Sequence, residues 1–523
     1  MLFDSSAPRS GLGIARLAVI LASATLSFGI ASVPLGAQKA DPAPAISADS
    51  TAALRNTFLP SAAMQDDLVL LDAAFRRLHP ALFRYHTEAS WAAALDSLRT
   101  WAAVPRSRGE AFVAFSRLVA SLRCGHTYLS FWNQPRAVHA WLTDGADKLP
   151  FEYDLVSGDR WVVNRSATFL AGDSATILPG DTILAVNGAE VPQLVRTLLP
   201  LIRADGDSDG KRRALLDFRH RKEYEAIDVF LPLLYPPTNG RYAITRRRGG
   251  ETRVVSVTAV ASAVRRMRAV PVPAAKPPHE ITRLTNGAAL LRVDAFDYGR
   301  DADKWEPFVR TTFQALNRDT VHTLIVDLRE NEGGSDEGAE FLLRHLIRTP
   351  LMLPSLGLVV AYDTVPAALR PVLSTWDRSF YDRRGHVKAR ADGRFDLDQS
   401  AAWPKKISVA PDAFTGRLLV LTSFVNSSAS HIMLRLLARQ PGVTIIGDPT
   451  GGSLRAHTGG NLFFATLPGT GFEVDLPLIA YEWGMQNPAG GVVPDIAVPA
   501  RDALARALEE IGVPRSRSAP HIP

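Results

Sequence analysis

LLVLTSFVNSSASHIMLRLLARQPGVTIIGDPTGGS, residues 418–453, is the stretch whose reading decides the fold. Its apolar start, Leu418–Leu421, is too short for a surface helix and is bounded by turn formers, which predicts a buried strand. The polar cluster Asn426-Ser427-Ser428-Ala429-Ser430 follows, and then a helical pattern with Ile432, Met433, Leu436 and Leu437 on one face. Strand, tight polar turn and helix is a layout that presents a hydroxyl at a helix N-terminus, where free backbone N–H groups can hold an oxyanion. Read alone, the same serines are good helix caps, so the rest of the chain has to decide between the two.

The chain has 523 residues, 46% hydrophobic and 21% charged, a balance that fits several globular domains. Arg9 and Arg16 precede an apolar run, Leu17–Leu35, closed by Gly36 and Ala37. Residues 1–37 therefore read as a secretory signal peptide, with an uncleaved anchor as the runner-up. The expected location is periplasmic or extracellular, or membrane-tethered if the segment is not cleaved, with no membrane span after signal removal. Cys124 is the only cysteine, so an internal disulfide is excluded. The net charge of +6 is spread over a long chain. The runs Lys211–Arg213 and Arg246–Arg248 lack interleaved aromatics and read as solvated faces, not a nucleic-acid site.

Residues 38–60 read as an Ala/Pro/Ser linker. Three helical patterns, through Leu68–Leu78, Trp91–Trp101 and Phe112–Leu122, predict an N-terminal helical domain over 61–145. It ends at Cys124-Gly125-His126-Thr127, a corner that keeps His126 out of any apolar stripe. Residues 146–260 read mostly as β. Leu178-Pro179-Gly180-Asp181 through Asn187-Gly188 resembles the matching segment of PDZ domains, with a helical insertion over 191–234. A Pro-rich linker covers 261–280. From 281 to 510 strands and helices alternate, predicting an α/β core with a mainly parallel sheet, interrupted at 366–405 by an insertion or lid.

Four segments, DLRENEGG (327–334), SSASH (427–431), GDPTGG (447–452) and GGVVPD (490–495), occur in the order found in tail-specific, or carboxyl-terminal processing, serine peptidases and the tricorn core. CGHT (124–127) is similar to the His-bearing segment of the tricorn-like branch. The resemblance spans about residues 65–500. It implies a multidomain α/β chain with a ClpP/crotonase-like peptidase core. It places the nucleophile on Ser428 and the oxyanion donors on the amides of Ala429 and of a glycine in Gly333-Gly334, while Ser427 and Ser430 read as helix caps. Glycine suits this role because its backbone can approach a developing oxyanion closely. The chain departs from the family pattern in two places. Ser453 stands where the processing branch has a lysine base, with no lysine near it in sequence, which moves the base to His126. Pro488 stands where the tricorn-like branch has a Glu, leaving Glu482 as the nearest acid upstream.

The implied function is an exported serine endopeptidase acting on peptide or protein substrates, with no metal or cofactor, since H-x-x-E-H and C-x-x-C patterns are absent. A non-catalytic ligand-binding protein on the same scaffold is the alternative. An acyl-CoA enzyme ranks last, because an exported protein would rarely meet that substrate.

Overall fold

The computed structural model describes residues 53–512 apart from 158, 168–176, 219–223, 269–276, 285, 297–301, 354–356 and 399–404. The signal peptide, most of the first linker and much of the second lie outside the described residues. The fold is a mixed α/β arrangement of several sheets. The central sheet runs in the order Ile496–Ala497, Val443–Gly447, Arg417–Thr422, Thr323–Asp327, Ala288–Val293, His279–Arg283. All neighbours are parallel except the edge strand His279–Arg283. Its middle strand TLIVD is buried along its whole length, as expected of a parallel strand covered on both faces.

Period-two alternation sends successive residues to opposite faces. Leu324 and Val326 pack with Val309, Phe313, Leu342, Leu434 and Leu437 from the helices Ala302–Arg318, Asp336–Leu346 and Ser428–Leu437. Ile325, Leu419, Leu421 and Ile446 face the other way, onto Ala503 and Ala507 of the helix Ala500–Glu510. Small residues there let that helix lie close to the sheet. Each large side chain so buried contributes about 1.5–3 kcal/mol.

The helices Ser61–Leu78, Glu88–Trp101 and Arg108–Ala120 form where the periodicity predicts. The last two begin with side-chain caps from Thr87 and Ser107. Their apolar faces belong to one cluster that also includes Phe151, Tyr153 and Trp161 of the 146–260 segment and Phe472 and Leu476 of a long hairpin, Ala456–Leu467 with Phe472–Glu482. Residues 146–260 contain an antiparallel sheet, Phe151–Val156, Arg160–Ser166, Thr182–Val186, Arg241–Arg248 and Glu251–Thr258. The helices Val191–Leu198, Asp209–Ala214 and Ala226–Leu234 lie between its strands in sequence. Part of 366–405 joins a third sheet: Leu373–Ser374 pairs with the long hairpin, and Phe395–Leu397 pairs with Gly357–Val360. Among the described residues, no helix is long and apolar enough to cross a membrane.

Candidate active site

The two central strands, Thr323–Asp327 and Arg417–Thr422, end side by side, with Asp327 opposite Leu421. In an open parallel sheet, the crevice beyond the carboxyl ends is where chemistry is placed. The loops leaving these strands are tied together there. Asn426 Nδ2 donates to the carbonyls of Leu328 (2.6 Å) and Asn331 (2.9 Å), while its Oδ1 accepts from the Ser423 amide at 2.8 Å. Asn426, Asn331 and Ser423 are buried, so these bonds fix one geometry in a place where a missing partner would be costly.

Ser428 opens the helix with φ +52°, a conformation that costs a non-glycine residue on the order of 1–3 kcal/mol and tends to mark functional turns. Gly333, at φ +120°, is packed directly against it. A Cβ on Gly333 would lie 2.8 Å from Ser428 Cβ, 2.9 Å from the Ser427 carbonyl oxygen and 3.2 Å from the Ala429 nitrogen. Gly334 is equally constrained, since a Cβ there would meet the Phe296 carbonyl oxygen at 2.3 Å. The Gly333 N–H donates to Asn331 Oδ1 at 2.9 Å. In the parallel bridge between Phe296 and Gly334, it is the Gly333 carbonyl and the Ser335 amide that bond to Phe296, so the Gly334 N–H is directed away from that partner. The Ala429 amide lies in the first helical turn, where N–H groups have no intrahelical acceptor.

The flanking serines do not act as caps. Ser427 occupies the N-cap position but makes no side-chain cap bond. Its Oγ donates to the Glu332 carbonyl at 3.0 Å and accepts from Lys211 Nζ at 2.6 Å. Ser430 sits inside the helix, fully buried, with Oγ 3.5 Å from Asn426 Nδ2. A lysine therefore does reach the turn that carries Ser428, but from residue 211 and not from the segment that ends at Ser453. Ser453 is buried beside His431, whose Nδ1 faces Thr450 Oγ1 at 2.8 Å and whose Nε2 faces the Ser453 carbonyl at 3.2 Å. Burial lowers the His431 pKa to about 4, so it is a neutral structural imidazole.

His126 follows the helix Arg108–Ala120, in a corner held by the segment after Leu201. Asp205 Oδ1 accepts from the Gly125 amide at 2.8 Å, Arg203 donates to the Gly125 carbonyl, and the Gly206 amide donates to the Arg123 carbonyl at 2.9 Å. Glycine leaves room for Asp205 at 125: a Cβ there would stand 2.7 Å from Asp205 Oδ2 and force the carboxylate to shift. The His126 ring packs edge-on against His457, with centroids 4.9 Å apart at 85°. Asp205 Oδ2 lies 3.9 Å from His457 Nδ1. Desolvation, followed by the charge of His457 and then of Arg203 and Lys211, lowers the His126 pKa well below 6.5, with Asp205 opposing. The imidazole is thus held neutral, as a proton acceptor must be. Asp205 itself is kept below the usual carboxylate range: burial pushes it up, but His457, His126 and Lys211 outweigh this.

Glu482 is not in this cluster. It is bridged by Arg394 at 2.6 Å and Arg390 at 3.4 Å, both from the 366–405 insertion. Sequence reasoning missed Asp205, Lys211 and His457. The first two lie in RADGDSDGK, within the stretch read as a helical insertion, and Lys211 opens the basic run read as a solvated face, whereas Lys211 and Arg212 are in fact buried. His457 lies in RAHTGG just past the GDPTGG motif, and the signal available was a histidine two residues before a glycine pair, whereas His126 stood out at a corner beside the single Gly125.

Residues 287–498 match the sequence model of peptidase family S41. The chain is similar in structure to mature CPAF, with a TM-score of 0.55 at 18% identity over 86% of this chain and 96% of that one. It is also similar to mature CPAF complexed with lactacystin, with a TM-score of 0.54 at 17% identity over 86% and 97%. At these identities the likeness speaks for the fold. The match to the photosystem II D1 C-terminal processing protease covers 83% of this chain and 92% of that one at 18% identity, with a TM-score of 0.36, too low to carry an argument.

Proposed function

Because the chain belongs to peptidase family S41 through residues 287–498 and is a serine peptidase, a hydrolase acting on peptide or protein substrates, we propose that Ser428 is its nucleophile and His126 its general base. The observation that carries this reading is the strained φ of Ser428 with Gly333 packed against it, a costly local structure that serves to aim one hydroxyl. Ser428 Oγ attacks the scissile carbonyl, and neutral His126 accepts its proton and later returns it to the leaving amine. The Gly334 and Ala429 amides hold the tetrahedral oxyanion. Gly333, whose N–H is used by Asn331, supplies the close approach instead.

Asp205 acts as the positioning carboxylate. It fixes the His126 corner through Gly125 and stabilises the imidazolium formed during attack. Lys211 holds Ser427 Oγ, and through it the turn that carries Ser428. The N-terminal sequence supports export. The deciding experiment is fluorophosphonate labelling of the purified chain with the modified residue mapped. Adduct on Ser428 is expected, and adduct on another serine, or none, would reject the assignment.

A further inference from the structure

His126, Asp205 and His457 come from three distant segments. They nevertheless present one ligand atom each, all within 4.8 Å of one another. His126 Nδ1 and Asp205 Oδ2 are both buried without a hydrogen-bond partner. Two orphaned polar atoms in one buried spot are a cost that native structures avoid unless something binds there. The Gly125 amide holds the other Asp205 oxygen, which fixes the carboxylate's orientation as an outer partner of a metal ligand does.

We propose that His126, Asp205 and His457 form an inhibitory site for a divalent transition metal of the zinc class. Two imidazoles and one carboxylate suit zinc, cobalt, nickel or copper and not the hard, oxygen-seeking magnesium or calcium. Bonds of about 2.0–2.1 Å at tetrahedral angles put ligand atoms roughly 3.3 Å apart, so the present spacings, none above 4.8 Å, close by at most about 1.5 Å. The charges of Arg203 and Lys211, which already act on His126, oppose a dication. The inhibition follows from the imidazole itself. A neutral ring that gives one nitrogen's lone pair to a metal carries its proton on the other nitrogen. Whichever nitrogen coordinates, His126 then has no lone pair left to accept the Ser428 proton. At the same moment the metal takes the Asp205 carboxylate.

This inference rests on His126 being the base, so its test reads binding and activity separately. The purified full chain is stripped with a chelator and titrated with Co²⁺, following visible absorption, then with Zn²⁺ by calorimetry. The rate of fluorophosphonate labelling of Ser428 is measured in parallel. One equivalent of Co²⁺ should give a tetrahedral-type band that Zn²⁺ displaces. Labelling should fall at least tenfold over the same Zn²⁺ range, recover with chelator and ignore Mg²⁺. His457→Phe should weaken Zn²⁺ binding at least tenfold. Asp205→Asn, which preserves shape, should do the same, and serves as the second variant if His457→Phe melts early. Unchanged binding in both variants, or no one-equivalent binding in the parent, overturns the site. Binding that is lost in the variants yet leaves parental labelling unaffected overturns instead the inhibitory role and the assignment of His126 as base.

Discussion

Asp205→Asn is the most informative single change. Asparagine retains an oxygen for the Gly125 amide and nearly the same volume, so it removes the charge and little else. With His126 as the base proposed above, it becomes an imidazolium in the transition state, with a nitrogen within 4.8 Å of the carboxylate. At an effective dielectric constant of about 20, a charge pair at that distance is worth roughly 3.5 kcal/mol, or a fall in kcat/KM of roughly 10²–10³-fold. The pH profile separates this role from a structural one. In the parent, His126 titrates below 6.5, so activity persists on the acid side beyond where an ordinary imidazole would lose it. Asp205 opposes that lowering. Removing its charge therefore moves the acid limb to still lower pH while the plateau drops. The assay is kcat/KM on a peptide substrate, or the fluorophosphonate labelling rate, from pH 4.5 to 8 with chelator present, beside a thermal melt. A folded variant within about threefold of the parent, with an unmoved acid limb, would refute the argument.

Ser428→Ala should fold normally and lose labelling, leaving at most the residual oxyanion-hole rate of about 10³–10⁴ over water, whereas Ser430→Ala should keep most activity; mapped labelling of both variants checks this. Gly333→Ala places a Cβ 2.8 Å from Ser428 Cβ at φ +120°, so it should lower kcat by at least 10²-fold with KM changed much less, measured by steady-state kinetics. Burial lowers His79 to about 3 and His431 to about 4. Both folded values lie below the unfolded ~6.5, so the stability tied to their neutral forms is complete above pH 6.5 and is lost as pH falls toward those values. The loss approaches roughly 3–5 kcal/mol per group at the acid end, the larger for His79; Tm should be flat above pH 7 and fall below pH 6, and a flat Tm down to pH 4.5 would contradict it.

Much of the fold was legible because its signals are local. The Leu418–Leu421 run announces a buried strand, the glycines of DLRENEGG announce a close approach, and helix periodicity between residues 61 and 122 needs no partner to be read. The strand, turn and helix around Ser428 were legible for the same reason, although the strain on Ser428 and the work done by Ser427 were not. A side chain's hydrogen-bond partner is a property of the assembled loops. Asp205, Lys211 and His457 were hidden because no spacing rule connects residues 126, 205 and 457.

The two departures from the family pattern find their physical counterpart in one segment. Ser453 and Pro488 leave the chain without the lysine and the glutamate expected at those positions. Within nine residues, Arg203 to Lys211, the insertion delivers an arginine and a carboxylate onto the two sides of Gly125 and an ammonium onto Ser427. The ammonium and the carboxylate pull His126 in opposite directions, one lowering and one raising its proton affinity, while burial sets the overall direction. The proposed base, tuned in this way, depends on the packing of a segment that belongs to neither the strand nor the helix around Ser428. Loosening residues 203–211 would release the His126 corner, the Ser427 hydroxyl and the positioning carboxylate together, so activity should be lost in one step and not in three.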